Sequence, residues 1–458
     1  ELNIDPSLSQ WIQTISVVAK VAFSIPLSQL GVKIGLVNSI IIFTGIITCL
    51  YPTLIFIKNF WLFLFMRFLI GVCLSGILVC NQSLIQNLAP EKNRKQYAEY
   101  QQLTMNIVMI FTPLLSSIII QYTNWRYVYI VCSTGAFLRC MNMTLIPNLK
   151  MKKQPFDLIG SVLLIILLSC FCIALTLVAQ KQIIIAICLF IWTILAIIAF
   201  YFLEKRVKEP IVDFKVLTKQ ARELLLIRTC QQLASTGEGF LIPQYFNLLE
   251  VKKVVLGLFS SAKLFLSVLA MLLAQRLNKK FSISVLLLVG FGVVSVCSIT
   301  QTAILDQFWV FNSLGLVKSA LASLANQGIN PLIQTSVPAN IVHKVNGIST
   351  TAMNLTQCIS QSFMSMLLQV LQVEKLQALT VCYIIISVLM LLNLLQIVVR
   401  IIVNKKEKKN GERSKLLVSG KEDAEVKADV EELGETIKSD EGQEQKEKTK
   451  YQKIDNSD

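Results

Sequence analysis

The feature that most constrains this chain is a series of long apolar runs that are nearly free of charged residues. Each run is close to the roughly 20 residues that a helix needs to cross a bilayer. Hydrophobic residues make up 54% of the 458 residues and charged residues only 16%, whereas charged residues are about a quarter of a soluble protein. Membrane β-barrels show short alternating segments instead. The pattern therefore predicts an all-α, polytopic membrane helical bundle.

The apolar runs fall into blocks along the chain. We predict thirteen membrane-spanning helices, near residues 11 to 30, 36 to 57, 60 to 82, 98 to 120, 127 to 148, 158 to 180, 182 to 203, 223 to 247, 254 to 276, 281 to 303, 307 to 333, 345 to 371 and 377 to 402. The first five form an N-terminal half within 1–149, a tight pair with a cytosolic linker follows at 150–222, and six more form a C-terminal half at 223–402. The tail at 403–458 is rich in Lys and Glu, so we expect it to be disordered.

The formal net charge of +15 raises the question of nucleic-acid binding. Residues 401–458 carry 13 basic and 15 acidic residues, so the positive excess lies in the membrane part. There the basic residues concentrate in alternate loops, which is the positive-inside pattern of membrane proteins. We therefore expect no nucleic-acid partner. The pattern predicts a multi-pass protein of the plasma membrane or an organelle membrane, with its start outside and its tail cytosolic.

Residues that could support enzyme or cofactor chemistry are scarce. His343 is the only histidine, and the sequence contains no recognisable catalytic triad, metal-ligand cluster or phosphate-binding loop. The 12 cysteines fall in apolar runs without a CxxC pair, which is typical of small buried residues. We therefore expect no enzyme activity, no cofactor and no metal. The expected partners are the lipid bilayer and a small-molecule solute, with the chain acting as a monomer.

Two predicted spans carry polar residues at helical spacing, so that each set shares one face. The run at 307 to 333 has Ser319, Ser323, Asn326 and Asn330, and the run at 345 to 371 has Asn346, Thr350, Asn354, Gln357 and Gln361. Such amide-rich stripes either join helices, at about 0.6 kcal/mol per contact, or line a wet cavity. Because both stripes extend through most of the membrane, we favour the cavity.

Charged residues inside spans are costly and are usually functional or paired. Lys20, Arg67, Lys263 and Lys318 are such cations, and Glu238 is the clearest carboxylate. Its neighbours Gly237 and Gly239 weaken the helix, as in the broken helices of transporters. We hypothesise that Glu238 takes and releases a proton; the alternative is that it only cancels the charge of Lys263 or Lys318. The surplus of cations favours a solute with an anionic group.

Short motifs in the first half match those of a known family. After the first run, Lys33 and Gly35 match the later part of a G-x-L-A-D-R-x-G-R-K loop, although Val32 replaces its acidic residue. In the run at 60 to 82, Arg67 and Gly71 match R-x-x-Q-G, with Ile70 in place of the Gln. In the next run Pro113 matches G-P-x-x-G-G, whose glycines are replaced by small hydroxyl residues. Together with the order of the blocks, these motifs resemble the fourteen-helix drug:proton antiporter family of the major facilitator superfamily.

The resemblance implies a fold and a function. It equates the first run with the second helix of the family, so the family's first helix is absent from this sequence. It also implies gating or packing roles for Lys33, Gly35, Gly71 and Pro113. The implied function is alternating-access transport of small organic solutes, by proton-coupled efflux of drugs or metabolites. The alternatives are a facilitative or anion transporter of the same fold, and a membrane sensor or scaffold that transports nothing.

Overall fold

A computed structural model shows the arrangement of the predicted spans. It describes residues 11–90, 93–146, 157–205, 218–277, 280–327, 329, 332–333, 342–371 and 375–403. The predicted disordered tail, most of the cytosolic linker and Asn330 therefore lie outside the described residues. Contacts between residues divide the chain into two units, Glu1–Ile397 and Val398–Asp458. Of the second unit, only residues 398–403 are described.

The described residues form thirteen α-helices, one for each predicted run. They are α1 (Trp11–Ile34), α2 (Leu36–Phe56), α3 (Phe60–Leu88), α4 (Arg94–Tyr122), α5 (Val128–Thr144), α6 (Leu158–Ala179), α7 (Ile183–Glu204), α8 (Lys219–Leu248), α9 (Lys253–Leu277), α10 (Ile283–Ala303), α11 (Phe308–Asn326), α12 (Val342–Val370) and α13 (Lys375–Val403). A short 3-10 turn at Trp125–Tyr127 precedes α5. No strand occurs in the described ranges, so the all-α prediction is confirmed.

Ten of these helices are long and apolar enough to cross a membrane by length and composition alone. The other three are α5, α8 and α12. Helix α5 has only 17 residues, whereas α8 and α12 are rich in polar residues, many of which are buried in α12. Polar faces are tolerated in membrane bundles when they point inward, since lipid cannot satisfy them.

Local sequence fixes where several helices begin. The side chain of Asn59 accepts hydrogen bonds from the backbone N–H groups of Trp61 and Leu62 at the start of α3. Asp157 caps α6 in the same way, through the N–H of Gly160 at 2.9 Å. Such caps satisfy the free N–H groups of the first helical turn.

Gly35 joins α1 to α2 with a φ of 105°, a conformation that residues other than glycine rarely adopt. Lys33 lies exposed in the last turn of α1.

The two halves use the same pattern of helix packing. In the N-terminal half, α1 packs on α3, and α2 packs on α3 and α5; in the C-terminal half, α9 packs on α11, and α10 packs on α11. Gly71 allows the close approach of α3 to α1, since a Cβ there would lie 2.7 Å from the carbonyl oxygen of Ser16. The C-terminal core includes Tyr245, Phe311 and Tyr383, all nearly inaccessible to solvent.

Two helix pairs join the halves. α1 packs along α12, and α4 packs along α9. At the second contact Gly257 faces Ser117 and the carbonyl oxygen of Pro113, so that the motif proline of α4 lies against α9. From the added pair, α6 packs against both α1 and α12, while α7 packs on α6. The interface between the halves is thus formed by small and hydroxyl residues, which allow close helix packing in membranes.

Candidate functional site

A polar cavity of about 340 Å³ lies among helices α4, α8, α9, α10, α11 and α13. Its volume is within the range of small-molecule sites, about 300–1,000 Å³. Most of its wall comes from the C-terminal half, and α4 supplies Gln102 and Asn106 from the N-terminal half. Because both halves contribute, a relative movement of the halves would change the shape of the cavity.

The face of α8 that lines the cavity is polar along its length. Arg228, Gln231, Gln232, Ser235 and Glu238 all line the cavity, and their spacing places them on one helical face. The helix is unbroken from Lys219 to Leu248, so the expected helix break beside Glu238 is wrong. Of the two flanking glycines, Gly237 serves close packing. A Cβ at Gly237 would lie 2.8 Å from the Ser360 hydroxyl of α12, while Gly239 lines the cavity.

Glu238 forms an ion pair with Lys318 of α11. The Lys318 Nζ lies 2.7 Å from a carboxylate oxygen of Glu238, and the side chains are only 5% and 12% exposed. The same Nζ donates a hydrogen bond to the Oε1 of Gln301 at 3.2 Å, and the Nε2 of Gln301 donates to the carbonyl oxygen of Phe311 at 3.1 Å. Gln301 therefore holds the lysine in position, since its amide is itself fixed by the backbone of α11.

Lys263 of α9 lies beside this ion pair and interacts electrostatically with both Glu238 and Lys318. Space for its side chain comes from Gly315, where a Cβ would lie 3.1 Å from the Cε and 3.2 Å from the Nζ of Lys263. One carboxylate thus interacts electrostatically with two ammonium groups and forms its ion pair with that of Lys318. The cluster carries one net positive charge when all three groups are ionised.

Arg228 is a second centre of positive charge on the cavity wall. Its Nη1 donates a hydrogen bond to the Oε1 of Gln231 at 2.8 Å. Its Nε is buried and has no hydrogen-bond partner in the part of the chain that the structure describes. Among the described residues that line the cavity, three are cations and only Glu238 is a carboxylate. The cavity wall is therefore cationic overall.

The first predicted polar stripe contributes to this cavity. Ser319, Ser323 and Asn326 all line it from α11. Ser319 also shares a hydrogen bond of 2.9 Å with Ser267 of α9, and the Nδ2 of Asn326 donates to the carbonyl oxygen of Ala322 at 2.7 Å. The stripe thus has a cavity face and also links two helices of the C-terminal half.

The second predicted stripe lies at a different place. The Nδ2 of Asn354 donates to the Ser24 hydroxyl of α1 at 3.4 Å, and the Nδ2 of Asn346 donates to the Ser83 hydroxyl of α3 at 3.2 Å. Neither Asn354 nor Gln357 lines the large cavity. α12 presents this face to α1 and α3, so the geometry favours interhelical hydrogen bonding, which was the alternative interpretation of the stripe.

The two cations of the N-terminal half, Lys20 and Arg67, lie next to each other and away from the cavity lining. The guanidinium carbon of Arg67 lies 5.4 Å from the ring centre of Tyr129 and 5.9 Å from that of Phe63. The hydroxyl of Ser16 donates to the carbonyl oxygen of Arg67 at 3.1 Å. Within the described residues, neither cation forms an ion pair with a carboxylate.

Several cavity residues escaped the sequence analysis. Arg228, Gln231 and Ser235 of α8 were missed, although their helical spacing to Glu238 could have revealed them. Gln102 and Asn106 of α4 share a face as well, but nothing in the sequence shows that this face meets the C-terminal half. As for cofactors, no three His, Cys, Asp or Glu side chains in the described ranges come close enough together to hold a metal ion.

Comparison with known proteins agrees with this architecture. The family model for the Major Facilitator Superfamily matches residues 1–206 and 224–439. No curated protein matches the sequence.

Three solved structures share the fold. The human organic anion transporter MFSD10 (TETRAN) has 10% identity and a TM-score of 0.61, over 85% of this chain and 83% of that one. The proton:xylose symporter XylE has 14% identity and a TM-score of 0.61, over 86% and 87%. A structure of proton-dependent oligopeptide transporters has 16% identity and a TM-score of 0.59, over 89% and 92%. The chain is a multi-pass membrane protein and belongs to the major facilitator superfamily, whose members transport small solutes.

Proposed function

We propose that this protein transports a small organic anion by alternating access, with Glu238 as the group that couples transport to protons. The observation that carries the proposal is the charge of the cavity wall, whose described lining residues include three cations, Arg228, Lys263 and Lys318, and one carboxylate, Glu238. A charge buried at membrane depth is expensive unless it is compensated. An anionic solute compensates the surplus positive charge, whereas a cationic solute would add to it.

The ion pair of Glu238 with Lys318 supports a specific form of coupling. The Glu238 carboxylate, which lies 2.7 Å from the Lys318 Nζ, occupies the place that a solute anion would take. The two negative groups therefore compete for the same ammonium groups. Protonation of Glu238 removes one competitor and leaves Lys263 and Lys318 free to bind the solute. Proton and anion then bind together and cross the membrane in the same direction.

A second candidate function comes from the motif resemblance, which implies proton-driven efflux of drugs by antiport. In antiport the solute and the proton would bind to Glu238 alternately, so the solute would be cationic or neutral. One observation favours it, since Pro113 of the antiporter motif lies against Gly257 at the contact between α4 and α9. Because the structural neighbours are at most 16% identical, their own substrates do not decide between the two forms.

The test is solute flux in liposomes that contain the purified full chain. A naphthalene monosulfonate serves as the anion, since it stays charged and does not cross lipid as a neutral acid, and ethidium serves as the cation. We expect sulfonate uptake that is faster when the outside is more acidic than the inside. Glu238→Gln should remove this dependence on the pH gradient. Glu250→Gln is the matched control, because Glu250 is exposed and does not line the cavity.

Three outcomes would contradict the proposal. Gradient-dependent sulfonate uptake that is unchanged in Glu238→Gln would exclude Glu238 as the coupling group. Ethidium movement opposite to the proton, without sulfonate movement, would favour drug antiport. No flux of either probe in any gradient would favour the sensor or scaffold alternative.

A further inference from the structure

The positive charges of the cavity lie in two separate places along α8. Arg228 and Glu238 both line the cavity and are ten residues apart in the sequence. At 1.5 Å per residue this spacing corresponds to about 15 Å along the helix axis. Lys263 and Lys318 lie at the level of Glu238, to which both are electrostatically coupled. The cavity is therefore an elongated space with a cation near each end.

Neither end is neutral by itself. At the level of Glu238, one carboxylate faces two ammonium groups, which leaves one positive charge uncompensated. At the other end, the hydrogen bond of Arg228 within the described residues goes to the neutral amide of Gln231, and its buried Nε has no partner among them. A guanidinium presents several N–H donors in a fixed fork that suits carboxylate, phosphate and sulfonate groups. Each end thus lacks one negative charge.

The wall between the two ends is polar but uncharged. Gln232 and Ser235 of α8 and Ser319 and Ser323 of α11 line the cavity there. Amide and hydroxyl groups can accept or donate hydrogen bonds along the body of a solute without selecting its charge. The charge preference of the cavity is therefore set at its two ends.

We propose that the solute is an elongated dianion, with one anionic group bound by Arg228 and the other by Lys263 and Lys318. This inference rests on the proposed function, because it names the substrate class of the same cavity. A compact anion with a single charge occupies one end only and leaves the other cation uncompensated. A dianion of matching length compensates the positive charge at both ends of the cavity.

The test compares rigid aryl sulfonates as competitors of naphthalene monosulfonate uptake. Biphenyl-4,4′-disulfonate should compete about tenfold or more better than biphenyl-4-sulfonate, since a charge-assisted hydrogen bond adds that much binding. Benzene-1,2-disulfonate has two charges that are too close together to reach both ends. It should show no such advantage over benzenesulfonate.

Variants of Arg228 assign the second anionic group. Arg228→Gln should abolish the advantage of the long disulfonate over biphenyl-4-sulfonate, and Arg228→Lys should retain most of that advantage. Arg139→Gln is the matched control, because Arg139 is also an arginine of a span but does not line the cavity. Equal competition by the long monosulfonate and disulfonate, with sulfonate uptake intact, would overturn the inference and leave the proposed function standing. Absence of any sulfonate uptake would overturn both.

Discussion

Each half of the protein contains two neighbouring cations within its spans, but the surroundings of these two pairs differ. In the C-terminal half, Lys318 forms an ion pair with Glu238 on the wall of a cavity, and Lys263 interacts electrostatically with both. In the N-terminal half, Arg67 lies beside the rings of Tyr129 and Phe63, with Lys20 as its electrostatic neighbour. No carboxylate joins this second pair within the described residues.

This difference shows that a charge inside a span has two distinct uses. A cation paired with a carboxylate can exchange partners, because a proton or a second anion can replace one member of the pair. A cation held against aromatic faces has no such exchange available, since the ring quadrupole is fixed. The C-terminal pair therefore fits the proposed role in binding, whereas the contact of Arg67 with Tyr129 joins α3 to α5.

The largest expected effect comes from breaking the C-terminal pair. Glu238→Gln leaves Lys263 and Lys318 close together without a counter-charge, and removal of one member of a buried ion pair costs about 3–5 kcal/mol. We expect a lower midpoint of thermal unfolding for the purified protein in lipid nanodiscs. Adding Lys318→Gln should restore much of the lost stability, because the repulsion between Lys263 and Lys318 is then removed. A double variant that is as unstable as Glu238→Gln would show that the pair does not act as a unit.

A smaller effect is expected at the packing between α1 and α3. Gly71→Ala places a Cβ 2.7 Å from the carbonyl oxygen of Ser16 and 2.8 Å from the Cβ of Ala19. Overpacking of this kind costs about 1–3 kcal/mol. The same unfolding measurement should detect it. Gly45→Ala is the control, since nothing lies within 4 Å of a Cβ at that position; equal effects of the two substitutions would contradict close packing at Gly71.

The smallest effect is expected at the N-terminal cations. Arg67→Met loses its contact with the rings of Tyr129 and Phe63, which is worth about 0.5–2 kcal/mol, but it also removes the repulsion from Lys20. Because the two effects oppose each other, we expect the free energy of unfolding to fall by less than about 1 kcal/mol. A double-mutant cycle with Lys20→Met should give a coupling energy opposite in sign to that of Glu238 with Lys318. Coupling of the same sign would mean that the two halves stabilise their cations alike.

The helices could be predicted because a membrane span is recognised by its own length and hydrophobicity. The run at 60 to 82 was identified correctly although it carries Arg67, since one charge does not interrupt an apolar run of that length. The face of α11 with Ser319, Ser323 and Asn326 was also predicted, and these residues line the cavity. The similar stripe of α12 was not placed correctly, because two stripes with the same spacing can face either a cavity or a neighbouring helix.

The sequence by itself determined the thirteen helices and the presence of a few charges among apolar residues, because each of these is a property of a single segment. Only the tertiary structure decided that Glu238 pairs with Lys318 and interacts with Lys263, and that Arg228 lines the same cavity. It also decided that Asn354 meets Ser24 of α1. These arrangements depend on how helices rotate about their axes to bury their polar faces together, and that rotation is set by contacts between segments that are far apart in the chain.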